Sequence, residues 1–173
     1  RYSSADSSNI GLFKRLLDGA CLKRLNIQMV NITSAKNNVG SVAGVSNGKV
    51  ILDSIYVSGN IKVIGEYAGG LVGKVEGDTL VIKRSRMLVG TLMGLRYCGG
   101  LVGGIAGSGL VKISDSYNDA FNVEGTSTDI GGLIGFIGST RDGNLIEGCT
   151  SNATVYGSMS VGGMIGQSKG VKL

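Results

Sequence analysis

Gly69-Gly70-Leu71-Val72-Gly73, Gly99-Gly100-Leu101-Val102-Gly103 and Gly131-Gly132-Leu133-Ile134-Gly135 are copies of one apolar pentad, and their spacing decides the fold. Working outward, Gly40-Ser41-Val42-Ala43-Gly44 precedes them and Gly162-Gly163-Met164-Ile165-Gly166 follows, at intervals of 29 to 32 residues. Gly11-Leu12-Phe13 is a degenerate sixth copy. A period near 30 residues marks a supersecondary unit that cannot bury its own apolar face and becomes stable only by stacking on copies of itself. The chain therefore reads as a single solenoid, with coils near residues 10–38, 39–67, 68–97, 98–129 and 130–160 and a partial coil at 161–173.

Two sets of aliphatic anchors set the register within each coil. Leu22, Ile51, Ile82, Ile113 and Leu145 fall 11 to 14 residues after the first glycine of each pentad, and Ile32, Ile61, Leu92, Val123 and Val155 follow about ten residues later. Runs such as Lys49-Val50-Ile51-Leu52-Asp53 and Leu110-Val111-Lys112-Ile113-Ser114 are short, β-branched and bounded by Asn, Gly, Ser and Asp, which is the signature of strands and turns. Helix is possible only at Phe13 to Leu17, because glycine elsewhere costs about 1 kcal/mol per helical position relative to alanine. The expected fold is all-β: a parallel β-helix of about five and a half coils with two or three strands per coil, each coil rising ~4.8 Å.

Stacking places equivalent residues of successive coils above one another. Arg24, Asp53, Arg84, Asp115 and Glu147 stand about two residues after the first anchor and are expected to form an exposed charge ladder. At ~4.8 Å on a wet surface each opposite pair contributes about 0 to 1 kcal/mol, so the ladder would fix register more than stability. The repeat glycines Gly40, Gly69, Gly70, Gly99, Gly100, Gly131, Gly132, Gly162 and Gly163 carry no Cβ, which permits positive φ and close backbone approach. They are expected to turn the chain sharply and send the following pair of aliphatic side chains inward.

The 173 residues contain 31 glycines, no proline, no tryptophan and no histidine, with 42% hydrophobic and 17% charged residues, which suits one packed domain. The net charge of +5 is spread along the chain and favours acidic surfaces only weakly. Cys21, Cys98 and Cys149 have neither zinc nor disulfide-framework spacing and read as buried free thiols, with one disulfide as the alternative. The uncharged, glycine-rich stretch Tyr97 to Val111 falls short of the ~20 residues a membrane helix needs, and no transmembrane segment is expected. The chain begins without methionine and its last pentad opens a coil that stops at Leu173, which reads as an excerpt of a longer polypeptide.

The absence of histidine removes the commonest general base and most zinc and iron sites, and no cofactor is expected. For glycoside hydrolysis, Asp115 and Glu147 on adjacent coils would stack ~4.8 Å apart, near the separation of a retaining pair, but they belong to the charge ladder. Asp115 and Asp119 along one strand lie too far apart, at ~13 Å. The Gly-x-x-Gly spacings in Gly99 to Gly109 belong to the repeat, because a strand and not a helix follows them. Lys83, Arg84, Arg86 and Arg96 form the densest basic cluster, with no aromatic platform beside it in the sequence, so nucleic acid is not expected as a partner. Tyr56, Tyr67, Tyr97, Tyr117 and Tyr156 read as covering the core edge rather than as sugar-stacking surfaces. Asn31-Ile32-Thr33 and Asn152-Ala153-Thr154 fit glycosylation sequons, which matter only in a eukaryotic secretory pathway.

The blocks YAGGLVG, YCGGLVG and DIGGLIG, followed by Ile113-Ser114-Asp115-Ser116-Tyr117, resemble the GLUG repeat family, as does the opening NIGLFKRLLDGACLKRLNI. Ser41 and Ala43 in the second repeat and Arg86 in the tyrosine column of the third depart from the pattern. The resemblance implies a secreted or surface-anchored bacterial setting, in adhesin-like proteins or in the noncatalytic repeat region of immunoglobulin A peptidase-like metalloproteases. It implies no activity, because the His-Glu-x-x-His chemistry of those peptidases lies in another domain. The expectation is a noncatalytic structural or adhesive segment that holds neighbouring domains of its own polypeptide apart and meets a host or cell-surface protein or glycan. Self-association through the coil ends and a polysaccharide-acting β-helix enzyme are the remaining readings.

Overall fold

The computed structural model describes residues 8–139 and 141–169. Among them there are twenty strands and no helix, and the strands pair in parallel into stacked coils, giving a β-solenoid of about five turns. The second coil carries three strands, within the two or three expected, and the third and fourth carry four each. In the third coil these are Glu66–Gly69, Val72–Val75, Thr79–Lys83 and Arg86–Gly94. The first two flank the pentad and belong to separate walls, a five-stranded and a six-stranded sheet. The last two share the third and largest wall, which is bent between them. In the first two coils that wall is one strand each, Cys21–Ser34 and Val50–Val63.

Phe13–Leu16, the one stretch where the sequence permits helix, is a strand paired in parallel with Ala43–Ser46, in keeping with the all-β fold. A strand edge already formed by the next coil offers hydrogen bonds that a five-residue helix could not supply for itself.

The pentads stack in register: Gly40, Gly69, Gly99, Gly131 and Gly162 form one column. Ile32, Ile61, Leu92, Val123 and Val155 form another, with Ile61 1% exposed and Leu92 and Val123 fully buried. In the first anchor set, Ile82 and Ile113 align, but Ile51 and Leu145 are each one residue off. The column is Leu22, Leu52, Ile82, Ile113 and Ile146, while Ile51 pairs with Cys21 and Val81, and Leu145 with Lys112. Side chains alternate along a strand, so a one-residue slip moves a residue to the other face. Leu52 is fully buried, and Ile51 lies on the outer surface, partly exposed.

The pentad turns the chain as expected, bending at its second and third residues where one wall gives way to the next, but none of its glycines lies in the left-handed region, so what they supply is close approach. A Cβ at Gly69, Gly99 or Gly131 would collide with the carbonyl oxygen of Val72, Val102 or Ile134, three residues on. The second glycines face inward-pointing side chains of the large wall: Gly70 lies against Met87, Gly100 against Asn118 and Gly132 against Ser151. Leu71, Val72, Leu101, Val102, Leu133 and Ile134 are all fully buried as expected.

The left-handed positions are held instead by side-chain-bearing residues. Asn9, Asn38, Tyr67, Tyr97, Asp129 and Ser160, each two residues before the first pentad position, have φ between 53° and 69°. A second left-handed column, Arg24, Ser54, Arg84, Asp115 and Gly148, bends the large wall with φ between 47° and 59°. Asn and Asp tolerate this region better than most residues; Tyr and Arg hold it only where neighbouring coils over-determine the backbone.

Candidate functional site

The segment Ile113-Ser114-Asp115-Ser116-Tyr117 shows how one bend aims its side chains. Ile113 points into the core and Asp115 takes the left-handed conformation, which breaks the backbone ladder. The fully buried Ser116 repairs the break: its hydroxyl donates to the carbonyl of Ser114 at 2.8 Å and accepts the backbone N–H of Ser85 at 3.1 Å. One coil earlier Ser85 does the same, donating to Lys83 at 3.0 Å and accepting from Ile55 at 3.1 Å. Cys149 occupies the equivalent position, its thiol 3.1 Å from the Glu147 carbonyl oxygen. After the repair the strand resumes and the next residue faces out, which sets the column Asn26, Tyr56, Arg86, Tyr117 and Thr150 on the outer surface.

The charge ladder is divided between two neighbouring columns, which corrects the expected single row. Arg24, Arg84 and Asp115 occupy the left-handed column. Asp53 and Glu147 lie one position earlier, in the column Lys23, Asp53, Lys83, Ser114 and Glu147. The cause is the same one-residue slip at Ile51 and Leu145. Asp53 is also not exposed, at 7% accessibility, and its carboxylate takes both contacts from Arg84 Nη2, at 2.7 and 2.6 Å, with Lys83 at 3.7 Å. Burial pushes this carboxyl up, but the Ser54 hydroxyl and the Arg84 and Lys83 charges outweigh it and hold it below the 3.8 of a free aspartate. Asp115 and Glu147 do not stack; Ser114 is the residue over Glu147, which removes the directly stacked carboxylate pair considered for glycoside hydrolysis.

The basic cluster is likewise split by the fold. Arg96 lies on another wall, paired with Glu66 at 2.9 Å and over the Tyr97 ring at 4.6 Å. Lys83 turns to Asp53. Arg84 and Arg86 remain together in a surface groove of about 230 Å³ lined by Tyr56, Arg84, Arg86, Asp115 and Tyr117. The aromatic platform missing from the local sequence is therefore present, supplied by the coils before and after. Arg86 sits over the Tyr117 ring at 4.7 Å, with Asp119 at 3.7 Å, which is beyond hydrogen-bonding reach. Tyr56 makes no ring contact or side-chain hydrogen bond among the described residues, and the Asp115 carboxylate has no hydrogen bond or ion pair there. These five side chains offer an apolar ring face, two guanidinium forks and one free carboxylate on a rigid wall. Sequence reasoning singled out each of them but did not assemble them.

Other features carry less chemistry. Tyr67, Tyr97 and Phe136 stack on one another with centroids 4.6 and 4.9 Å apart, so the ring faces are spent on packing. A wider notch of about 520 Å³, lined by Met29, Val30, Asn31, Ser58, Gly59, Asn60, Val89 and Gly90, holds no charged group. The three cysteines are free, but only Cys98 is buried as expected, with Cys21 exposed and Cys149 half-buried; burial pushes the Cys98 thiol up to about 12, which makes it unreactive. Both sequon asparagines, Asn31 and Asn152, are exposed. Among the described residues no group of His, Cys, Asp and Glu could hold a metal, and no helix is long and apolar enough to cross a membrane. Compared with family models, curated proteins and solved structures, the chain finds no match.

Proposed function

We propose that the chain is a noncatalytic structural and adhesive solenoid segment of a secreted or surface-anchored bacterial protein, as the likeness of its pentads to GLUG repeats suggests. The observation that carries this reading is the stack itself. Three walls run hydrogen-bonded along one axis over a continuous aliphatic core, with an outer face that presents arginine, tyrosine and carboxylate groups at fixed heights. Such an object keeps its neighbours apart and shows the same face whatever they do. The partner is a cell-surface protein or glycan.

The test is retention of the protein on arrays of immobilised glycans and extracellular proteins, with the supernatant followed by mass spectrometry. Saturable retention without release of cleaved glycan is the expected outcome. Retention on no surface overturns the adhesive part. Glycan turnover that disappears in Asp115→Asn or Glu147→Gln replaces this reading with a polysaccharide-acting enzyme.

A further inference from the structure

We propose that the groove between Tyr56 and Tyr117 binds a uronic-acid residue of a polysaccharide, an inference that rests on the adhesive reading and names its ligand. The geometry supplies each group such a sugar requires. Tyr56 offers a half-buried ring with no partner among the described residues, a surface for the C–H face of a pyranose. Arg84 is fixed from behind by the buried Asp53, which engages only Nη2, so its remaining N–H groups are held in place at the surface. Arg86 is oriented by the Tyr117 ring and has no hydrogen bond to Asp119. Two guanidinium groups with unengaged donors suit a carboxylate, which they can take with charge-assisted bonds. The free Asp115 carboxylate suits the hydroxyls on the other side of the same ring.

The charges around the groove narrow the ligand further. Two arginines and one aspartate line it, and Asp53 and Asp119 already offset the arginines from behind, so a carboxylate is drawn by their unengaged N–H groups and not by an excess of positive charge. Asp53 and Asp119 stand behind the arginines, and a densely sulfated chain would bring repeated anions up to these carboxylates. A nucleic-acid backbone needs a continuing basic track, whereas the column continues as Asn26 on one side and Thr150 on the other. At about 230 Å³ the groove has room for one sugar ring, not for a buried oligosaccharide.

The experiment titrates the protein with tetra-galacturonate, a glucuronate-bearing tetrasaccharide, the carboxyl-reduced form of each, and heparin, following binding by calorimetry and amide chemical shifts. At least one uronate is expected to bind, with its reduced form weaker by at least about tenfold, the loss that one charge-assisted contact represents. Arg86→Gln and Tyr56→Ala are each expected to weaken it to a similar degree. Arg141→Gln, which removes the same charge at a site paired with Asp78, leaves binding unchanged. Melting curves check that every variant is folded, and Arg86→Lys, which keeps the charge but loses the fork, is expected to bind between wild type and Arg86→Gln. The proposal is overturned by the absence of binding to either uronate, by equal binding of acid and reduced forms, or by heparin binding more tightly with Arg141→Gln as damaging as Arg86→Gln. On the array, equal retention of wild type and Arg86→Gln refutes the groove and leaves adhesion standing, whereas retention of neither refutes adhesion itself.

Discussion

A methyl group on residue 100 would overlap the amide nitrogen of Asn118 and the carbonyl oxygen of Gly132. The first belongs to a fully buried side chain that donates to Phe121 and Gly132 and accepts from the Phe121 N–H, so it cannot swing aside without leaving buried polar groups unpaired. Gly163 holds the same pentad position, yet among the described residues nothing lies within 4 Å of a Cβ there. Gly100→Ala is therefore expected to lower the unfolding free energy by about 3 kcal/mol or more and Gly163→Ala by less than about 0.5 kcal/mol, as read from urea denaturation. Equal effects would show that packing between coils is not what these glycines serve. Their recurrence was plain in the sequence, but their reason was not. A glycine that permits a turn and one that makes room look alike until the facing side chain is known, and here that side chain lies on another wall.

Alternation along a strand makes neighbouring aliphatics unequal. Leu52 is fully buried between Leu22 and Ile82, whereas Ile51 faces outward beside Cys21 and Val81. Leu52→Ala is expected to cost about 3 kcal/mol and Ile51→Ala less than about 1 kcal/mol. The opposite order in a melting comparison would reverse the facing of this strand. Apolarity alone could not choose between Ile51 and Leu52, or between Leu145 and Ile146, because each pair is adjacent. From the second coil onward the turn ahead of the strand also lengthens by one residue per coil, so no fixed offset from the pentad finds the column. The second anchor set was legible because its members are flanked by polar residues: Asn31 and Thr33 around Ile32, and Asn60 and Lys62 around Ile61.

At the scale of the molecule the solenoid was readable from the period alone, since only stacking can seal the open apolar face of such a unit. The groove was not, because Tyr56, Arg86 and Tyr117 are each about one coil apart in sequence and become neighbours only when three coils are in register. A search for aromatic residues near a basic run looks along the chain, while this surface is composed across it.

One property of the stack bears on mechanical load. The backbone hydrogen bonds between coils run parallel to the stacking axis in all three walls, so tension applied at the two ends falls on the outermost coil first and passes inward only as each one yields. Stretched between handles at Asn9 and Lys169, the protein should extend as a sawtooth whose steps release roughly 100 Å each, the contour of about thirty residues; a single abrupt extension would mean that the coils yield together. A tether built this way lengthens under strain while its remaining coils keep their grip.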